Sequence, residues 1–388
     1  MKTKTTIETA EHVLPGHPDK LCDAAVDGIV EVLRKLDPEA QCGLEMACVF
    51  NHVFVTGRIA ANEQSLSEFG DQGGCEMQVL KAFKNAGYRV DSSGRPWSPL
   101  TIDLRVNERL CIGPFEEGER ELRHLSDDQA ICVGYANSIE ETNHLPPAVW
   151  LSRSIAGELV SLRDEMASGD AGPDGKVLVR VEKNGSAWKP LHVSLSLSHH
   201  EESDWLRLRR FGEAAVEKAC SGLSTPKVTL NGAGMFVSVG PNGDNGLSGK
   251  KLVCDAYGPN IPIGGGAWSG KDLHKVDRLG GLLARKLAKR IVIGGSAGEA
   301  LVFLEYRPGN QRPASFQVAL DVQGPKQGIE HLLRSRILYR VSLSKIHHAL
   351  QCQPHQVGIY PPIGLLLVTH FFHPFLGTAC NPKFSPST

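Results

Sequence analysis

Apolar residues recur at helical spacing along several stretches of the chain. Behind Pro18, a residue type suited to the first turn of a helix, the apolar positions from Leu21 to Leu33 repeat at close to 3.6 residues. The pair Asp37-Pro38 closes this stretch, so the pattern predicts a helix that begins at Pro18 and ends before Pro38. By the same reasoning, further helices are predicted over residues 63–87, 147–166, 203–221, 272–293 and 328–349.

Alternation of apolar and polar residues predicts strands between these helices. The clearest case is a hairpin over residues 177–197, in which two alternating runs flank the turn Asn184-Gly185. Residues 43–60 predict one or two strands around a turn near Asn51-His52, and residues 102–106 predict a half-buried strand. Two more strands are predicted near residues 300–306 and 315–322. A helix therefore accompanies a strand pair three times, which is compatible with three similar α/β units although no close sequence repeat is visible.

The composition is typical of a globular protein with more than one domain. The chain has 388 residues, of which 41% are hydrophobic and 22% charged, and its length indicates two or three domains. A net charge of −1 gives no reason to expect nucleic acid or an anionic membrane as a partner. Because no apolar run reaches 18 residues and the N-terminus lacks an apolar signal region, a cytoplasmic protein is predicted. The ten cysteines are spread singly, which favours free thiols over disulfides or a zinc site.

The stretch Gly264–Arg278, GGGAWSGKDLHKVDR, concentrates residues suited to a polyphosphate. Its glycines allow the backbone to approach a ligand closely, and Lys271 and Lys275 share a face if the segment is helical. The ammonium groups suit phosphate oxygens, and the carboxylates Asp272 and Asp277 suit Mg²⁺. Since an aspartate follows the first lysine, this is not a Walker A loop. The stretch predicts a polyphosphate site with metal.

A second motif, Gly16-His-Pro-Asp-Lys20, places an imidazole, a carboxylate and an ammonium group within four residues. Together with Gly-Gly-Gly-Ala-aromatic-Ser-Gly-Lys-Asp and Lys275-Val-Asp-Arg278, it resembles S-adenosylmethionine synthetase (methionine adenosyltransferase), and the chain is identified as a divergent member. The resemblance extends from about Glu11 to about Pro374. Both motifs are long and stand in the expected order.

The resemblance implies an α/β (α+β) fold of three similar domains, each a mixed β-sheet with helices, in a pseudo-threefold arrangement. The domains are expected over residues 7–110, 131–232 and 233–376, with a mobile active-site loop over 111–130 and a tail over 377–388. From composition alone, the polar residues 111–128 are equally well interpreted as a surface linker.

The activity that the resemblance implies is adenosyl transfer. A nucleophile, the methionine sulfur, attacks C5′ of ATP, and triphosphate leaves and is hydrolysed to pyrophosphate and phosphate. Two Mg²⁺ ions and K⁺ are the implied cofactors. The implied assembly is a homodimer or homotetramer with its active sites at the subunit interface.

Site residues follow from the resemblance, position by position. The implied catalytic residues, which surround the departing phosphates, are His17, Lys20, Lys271 and Lys275. Further ATP-binding residues are Asp174 at the adenosine, Phe236 near the adenine, and Lys176, Asp244, Lys250, Lys251 and Asp128. Acceptor binding falls to Arg58, Asp128, Gln129 and Lys275, Mg²⁺ to Asp19 and Asp277, and K⁺ to Glu45. Outside such motifs a single His or Lys is usually structural or solvated, and Gly70-Asp-Gln-Gly-Gly74 is interpreted as a chance match.

The sequence departs from the family where the acceptor is expected. Thr56-Gly-Arg58-Ile59 stands where the family has Gly-Gly-Glu-Ile, so a cation replaces the carboxylate that pairs with the ammonium group of methionine. Two charges about 4 Å apart interact by roughly 4 kcal/mol at an effective dielectric near 20, and the reversed sign opposes an ammonium group. Asp127-Asp-Gln-Ala130 and Tyr306-Arg-Pro-Gly309 are altered as well.

Four interpretations remain open at this point. The first is that ATP chemistry persists on a non-methionine acceptor, to whose carboxylate the Arg58 fork is suited. The second is a divergent enzyme that still uses methionine, with Arg58 turned aside. A non-catalytic nucleotide-binding homologue and a plain triphosphatase are the others, and the presence of His17, Asp19 and Lys271 argues against the non-catalytic reading.

Overall fold

The computed structural model describes residues 5–91, 93–165 and 169–321. The helices are α1 (Pro18–Leu36), α2 (Glu63–Asp71), α3 (Gly74–Ala86), α4 (Glu119–Leu122), α5 (Pro147–Glu165), α6 (Trp205–Ala219), α7 (Leu252–Asp255) and α8 (Val276–Ile293). The strands are β1 (Thr5–Val13), β2 (Gln41–Val49), β3 (His52–Ala60), β4 (Arg105–Gly113), β5 (Ala130–Asn137), β6 (Ala171–Asn184), β7 (Ala187–His199), β8 (Lys227–Leu230), β9 (Gly246–Leu247), β10 (Glu299–Tyr306) and β11 (Ser315–Asp321). The predicted helix over 328–349 and the tail over 377–388 lie outside the described residues.

Most predicted elements are confirmed, and three need correction. The helix predicted over 63–87 is two helices, because Gly73 takes a left-handed φ of 85° between α2 and α3. Residues Thr101–Asp103 form a short 3₁₀ turn with Ile102 86% exposed, and the strand begins only at Arg105. That strand continues to Gly113, into the stretch interpreted as a loop.

The start of α8 is the third correction. The helix begins at Val276 with Lys275 as its N-cap residue, not at residue 272. Lys271 therefore lies in the loop before the helix, and the two lysines do not share a helical face. The glycine-rich loop is thus longer than the sequence pattern indicated.

Three sheets form the framework, as expected for an α/β protein. Sheet 1 has the order β1-β6-β7-β8, sheet 2 the order β4-β3-β2-β9, and sheet 3 the order β11-β10-β5. Sheets 1 and 2 are mixed, with parallel pairs β7–β8 and β3–β4, whereas the described strands of sheet 3 are all antiparallel. Helices α5 and α6 pack on sheet 1, α1 and α3 on sheet 2, and α8 on sheet 3, each over its own hydrophobic core.

The sheets do not follow the order of the chain. Strand β1 pairs along its whole length with β6, so the first strand belongs to the sheet of the central segment. Strand β5 pairs with β10, so the strand after the predicted mobile loop belongs to the C-terminal sheet. The predicted domains, with boundaries at residues 110, 130 and 232, are each one continuous stretch of the chain. They stay a prediction.

Helix α1, which carries the motif Gly16–Lys20 at its start, is deeply buried. Leu21, Ile29 and Leu33 are fully buried against sheet 2 and α3. Its first turn is buried too, including the polar residues His17, Asp19 and Lys20. Among the helices that the structure describes, none is both long and apolar enough to cross a bilayer.

Candidate active site

The motif Gly16–Lys20 forms the buried start of α1. His17 caps the helix, with its Nδ1 accepting a hydrogen bond of 3.2 Å from the Asp19 backbone N–H. Gly16 is held by its neighbours: its N–H donates to the Pro173 carbonyl, and its own carbonyl accepts from the Tyr88 hydroxyl at 2.6 Å. The imidazole and the Asp19 carboxylate are therefore fixed before any ligand arrives.

Three aspartates at four-residue spacing line one face of α1, and each holds a distant loop. Asp19 accepts from the Leu247 N–H at 2.9 Å and from Lys251 Nζ at 2.7 Å. Asp23 accepts from the Gly249 N–H at 2.8 Å. All three side chains are buried. Because residues four apart share a helix face, this stripe of acids can receive two loops side by side.

The third aspartate of the stripe, Asp27, receives the second loop. Its Oδ1 accepts from the Gly270 N–H at 3.2 Å and from Arg278 Nη1 at 2.9 Å. Arg278 is itself buried and also donates to the Lys271 carbonyl at 2.6 Å. Asp27 thus fixes both ends of the segment that carries Lys271.

Lys20 faces acids of this chain. Its Nζ lies 3.0 Å from Asp23 and 2.6 Å from Asp255, which follows the loop held by Asp19. Burial disfavours the ammonium form, but the two carboxylates outweigh burial and raise the pKa of Lys20. The pairs Lys20–Asp255 and Asp19–Lys251 have opposite charge order, and together they hold the first turn of α1 against both ends of the short helix α7. Lys20 therefore supports the site from beneath.

A first cluster of predicted site residues forms around the start of α1. Burial, followed by the nearby Lys251 charge, lowers the pKa of His17 to about 4, so its imidazole is neutral at pH 7. Burial likewise raises the pKa of Asp174 to about 6, although its Oδ2 accepts from the Gly240 N–H at 3.0 Å. Asp174 Oδ1 is buried without a hydrogen-bond partner in the described part of the chain. A buried carboxyl with an unused oxygen is suited to a ligand donor.

The rest of the first cluster is more exposed. Lys176, on the outward face of β6, and Asp244, in the loop before β9, both contribute to the field at His17. Lys250 is exposed and lies 3.8 Å from Asp19. Phe236 is half-buried, and its backbone is fixed by His199, whose Nε2 accepts from the Phe236 N–H at 3.1 Å.

A second cluster forms on the loop before α8. Lys271 Nζ is hydrogen-bonded to Asp277, and Lys275 Nζ to Asp127. Glycine is required twice here: a Cβ on Gly266 would lie 2.0 Å from Asp277 Oδ1, and Gly270 has a φ of 77° and would clash with the Leu44 carbonyl. The backbone of the loop therefore lies against the first half of β2, and both lysine side chains are partly exposed.

Asp272 does not share this role. Its carboxylate accepts from the Cys42 N–H at 2.8 Å and from Arg123 Nη2 at 3.0 Å, and its side chain is buried. Burial opposes ionisation, but the Arg123 charge and the backbone donors outweigh it and lower the pKa of Asp272. The expectation that Asp272 suits Mg²⁺ is therefore wrong: it is a structural anchor.

The residues between β4 and β5, 114–129, form what we call the crossing segment. Arg58 on β3 binds Glu119 with both arms of its fork, at 3.2 and 2.8 Å, and also donates to the Pro114 carbonyl at 3.2 Å. Arg123 is buried on Asp272, and Ser126 pairs with the turn after β10 through the Asn310 carbonyl at 2.8 Å. The crossing segment is thus attached to sheet 2, to the lysine loop and to sheet 3.

The remaining predicted residues lie at the surface. Asp128 and Gln129 are exposed at the end of the crossing segment, where Asp128 Oδ1 accepts from the Gln129 N–H. Glu45 is exposed on the outer face of sheet 2, opposite Thr56 of β3. The described contacts assign these three residues no role in holding the site together.

Both clusters are attached to α1, at two different points along the helix. Asp19 and Asp27 are eight residues apart, which places the two loops about 12 Å from each other along the helix axis. Sequence analysis did not assign several residues that hold the site together, among them Asp23, Asp27, Arg123 and Asp255. Only the four-residue spacing of Asp19, Asp23 and Asp27 was visible as a signal.

The arrangement defines a class of protein. Two glycine-rich loops, set on one helix of an α/β framework, carry paired lysines and carboxylates, which is a polyphosphate-binding chemistry. Within residues 5–91, 93–165 and 169–321, no group of three or more His, Cys, Asp or Glu side chains is arranged to hold a metal ion.

Comparison with known proteins agrees with this class. The description "S-adenosylmethionine synthetase, N-terminal domain" matches residues 5–109, and the corresponding C-terminal domain matches residues 238–361. Similar proteins include the S-adenosylmethionine synthase of Methylobacterium radiotolerans, 34% identical over 81% of both chains. That of Hyphomonas neptunium is 33% identical over 85% of this chain and 84% of its own. The chain therefore belongs to the S-adenosylmethionine synthetase family.

Proposed function

We propose that the protein transfers the adenosyl group of ATP to the sulfur of methionine. The observation that carries this proposal is the acidic stripe of α1, which places Lys251 beside Asp19 and holds the loop from which Lys271 reaches Asp277 in the first turn of α8. The names of similar proteins support the same reaction, since each is an S-adenosylmethionine synthase.

In the proposed reaction the sulfur lone pair forms a bond to C5′ of ATP. The bond from C5′ to oxygen breaks, triphosphate leaves with the electron pair, and the sulfur becomes a sulfonium. Charge accumulates on the leaving oxygen, so cations fixed around the triphosphate stabilise the transition state more than the ground state. Water then cleaves triphosphate to pyrophosphate and phosphate.

The lysines exchange partners when the triphosphate binds. Lys251 and Lys271 are each paired with a carboxylate, which keeps their ammonium groups in place. Phosphate oxygens compete for these ammonium groups, and Asp19 and Asp277 then become available as metal ligands. His17 is neutral in the folded protein and its Nδ1 accepts from the Asp19 N–H, so its Nε2–H donates a single hydrogen bond to the phosphates without adding charge.

The donor set fits Mg²⁺. Such ions are bound in proteins by one or two carboxylates together with substrate phosphates, and Asp19 and Asp277 supply one carboxylate to each cluster. The bound ions would neutralise triphosphate charge. The exposed Glu45 carboxylate is the proposed K⁺ ligand. Asp174, buried and with one unused oxygen, is the proposed acceptor of an adenosine hydrogen bond.

Methionine is favoured over another acceptor by the position of Arg58. Its fork is occupied by Glu119, and Glu116 lies 3.6 Å away, so its charge is compensated by acids of the same chain. A neutralised guanidinium neither repels an ammonium group nor seeks a carboxylate. Adenosyl transfer to a different acceptor remains the second candidate, because Arg307-Pro308-Gly309 also differs from the family pattern.

The site is proposed to be completed by a second copy of the chain. The two clusters are separated along α1, and neither holds both the adenosine-side acid Asp174 and the lysine pair of the second loop. The outer face of sheet 2 exposes apolar side chains, with Phe54 at 45% and Leu247 at 45% exposure. A homodimer or homotetramer formed on this face would bury them and bring clusters of different chains together.

Product analysis tests the proposal. The protein is incubated with ATP, Mg²⁺, K⁺ and methionine, and S-adenosylmethionine, pyrophosphate and phosphate are measured by mass spectrometry. We expect all three products, and a loss of at least about 100-fold in Lys271→Ala, because one leaving-group cation is removed. Phosphate without S-adenosylmethionine would indicate a triphosphatase. No product with methionine, but transfer to another thioether or carboxylate, would establish the second candidate.

A further inference from the structure

Arg58, the cation that the sequence places where the family has its acceptor-binding carboxylate, is bound by an acid of the same chain. Arg58 and Glu119 are 22% and 19% exposed, which is low for an ion pair at the outer face of a sheet. The Glu119 carboxylate also accepts from the Glu116 N–H at 2.6 Å, so the pair closes the turn between Pro114 and α4. Bidentate pairs of this kind fix geometry as well as adding energy.

We propose that Arg58 is a positioning residue, which holds the crossing segment on sheet 2 through Glu119. Three ion pairs hold the segment: Arg58–Glu119 at its start, Arg123–Asp272 in its middle and Asp127–Lys275 at its end. The middle pair is buried, whereas the first and the last pairs are partly exposed. With the start fixed, Asp127 is held on Lys275 of the second cluster.

The consequence for the acceptor rests on the proposed function. While the pair with Glu119 is made, Arg58 does not bind a carboxylate of the acceptor, so it sets the position of the segment and not the charge of the substrate. Its removal is expected to affect acceptor KM and kcat together through the misplaced segment. Direct carboxylate recognition would affect acceptor KM alone.

Charge exchange between the two partners tests the inference. The variants are Arg58→Glu, Glu119→Arg and the double variant that carries both substitutions, with Glu119→Gln as the mildest change. Amide hydrogen exchange of residues 114–122 reports the attachment and needs no catalytic activity. In Arg58→Glu, which brings a third acid beside Glu116 and Glu119, we expect exchange about tenfold faster. The double variant is expected to return the rate of amide hydrogen exchange to within about twofold of the wild-type rate.

Arg109→Glu is the matched control. Arg109 lies on the neighbouring strand β4, opposite Thr56, and its guanidinium donates to the Glu108 carbonyl. The same charge change there is expected to leave exchange of the crossing segment unchanged. Equal rates of amide hydrogen exchange in the wild type, Arg58→Glu and Glu119→Gln would overturn the inference. It would also be overturned if amide hydrogen exchange in the double variant were as fast as in the single variants.

The activity measurement separates this inference from the proposed function. If the wild type makes no S-adenosylmethionine, the proposed function fails, but the exchange data still decide whether Arg58 holds the segment. If the wild type is active, recovery of kcat and acceptor KM in the double variant supports the role of Arg58 in positioning the crossing segment. If the double variant restores slow amide hydrogen exchange but not the wild-type acceptor KM, Arg58 contacts the acceptor instead.

Discussion

Replacing Asp174 by Asn should stabilise the protein at neutral pH. Burial raises the pKa of this carboxyl from 3.8 in the unfolded chain to about 6 in the fold. Each pKa unit corresponds to 1.36 kcal/mol, so at pH 8 the ionised carboxylate costs the folded state roughly 3 kcal/mol. The cost appears as pH rises above about 4 and is complete above about 6. Asn keeps an oxygen for the Gly240 N–H and removes the charge.

Urea unfolding of both proteins between pH 4 and pH 8 measures this effect. The free energy of unfolding of Asp174→Asn minus that of the wild type should rise with pH through the window from 4 to 6 and then level off. Taking the difference cancels other titrating groups, such as His17, whose lowered pKa acts in the same window with the opposite sign. Asp71→Asn, at an exposed aspartate, is the control. A difference that does not vary with pH would refute the argument, because a desolvated carboxyl must show this dependence.

Two further substitutions test how the loops are attached. Asp27→Ala leaves Arg278 buried without its carboxylate, and a broken buried pair should cost about 3–5 kcal/mol in urea unfolding. A loss below about 1 kcal/mol would contradict the anchoring role of Asp27. Gly266→Ala places a Cβ 2.0 Å from Asp277 Oδ1 and should raise the Mg²⁺ concentration needed for half-maximal activity at least about threefold. Gly265→Ala meets no atom within 4 Å and should leave it unchanged, so equal effects at both positions would contradict the assignment.

The parts of the fold that local pattern decides were predictable from the sequence. Helix α1 and the β6–β7 hairpin follow from apolar spacing and from the Asn-Gly pair, and the structure has both, with the hairpin turn one residue later than predicted, at Gly185-Ser186. The break between α2 and α3 was missed, because apolar spacing continues across Gly73 while its backbone does not. The residues of the candidate site were found through motifs, which needed no knowledge of their neighbours.

What the sequence could not reveal are contacts between distant residues. Acids at positions 19, 23 and 27 normally indicate a solvated helix face, and here they are buried because loops more than 220 residues later cover them. Arg58 was interpreted by its charge alone, as a group facing a ligand, because its partner Glu119 lies 61 residues away. The net charge of a site depends on which residues surround it, and the sequence does not show which distant residues pair.

The pairing of β1 with β6 also affects how the protein is made. The first strand leaves the ribosome long before its partner, since Val13 pairs with Lys176 and Thr5 with Asn184. At a synthesis rate of 5–20 residues per second, β1 waits roughly 10–30 s for the strand that completes it. During that time its edge is open to other chains, and α1 carries its aspartates uncovered. Nascent chains of this protein should therefore depend on chaperones that protect the first forty residues until the central sheet emerges.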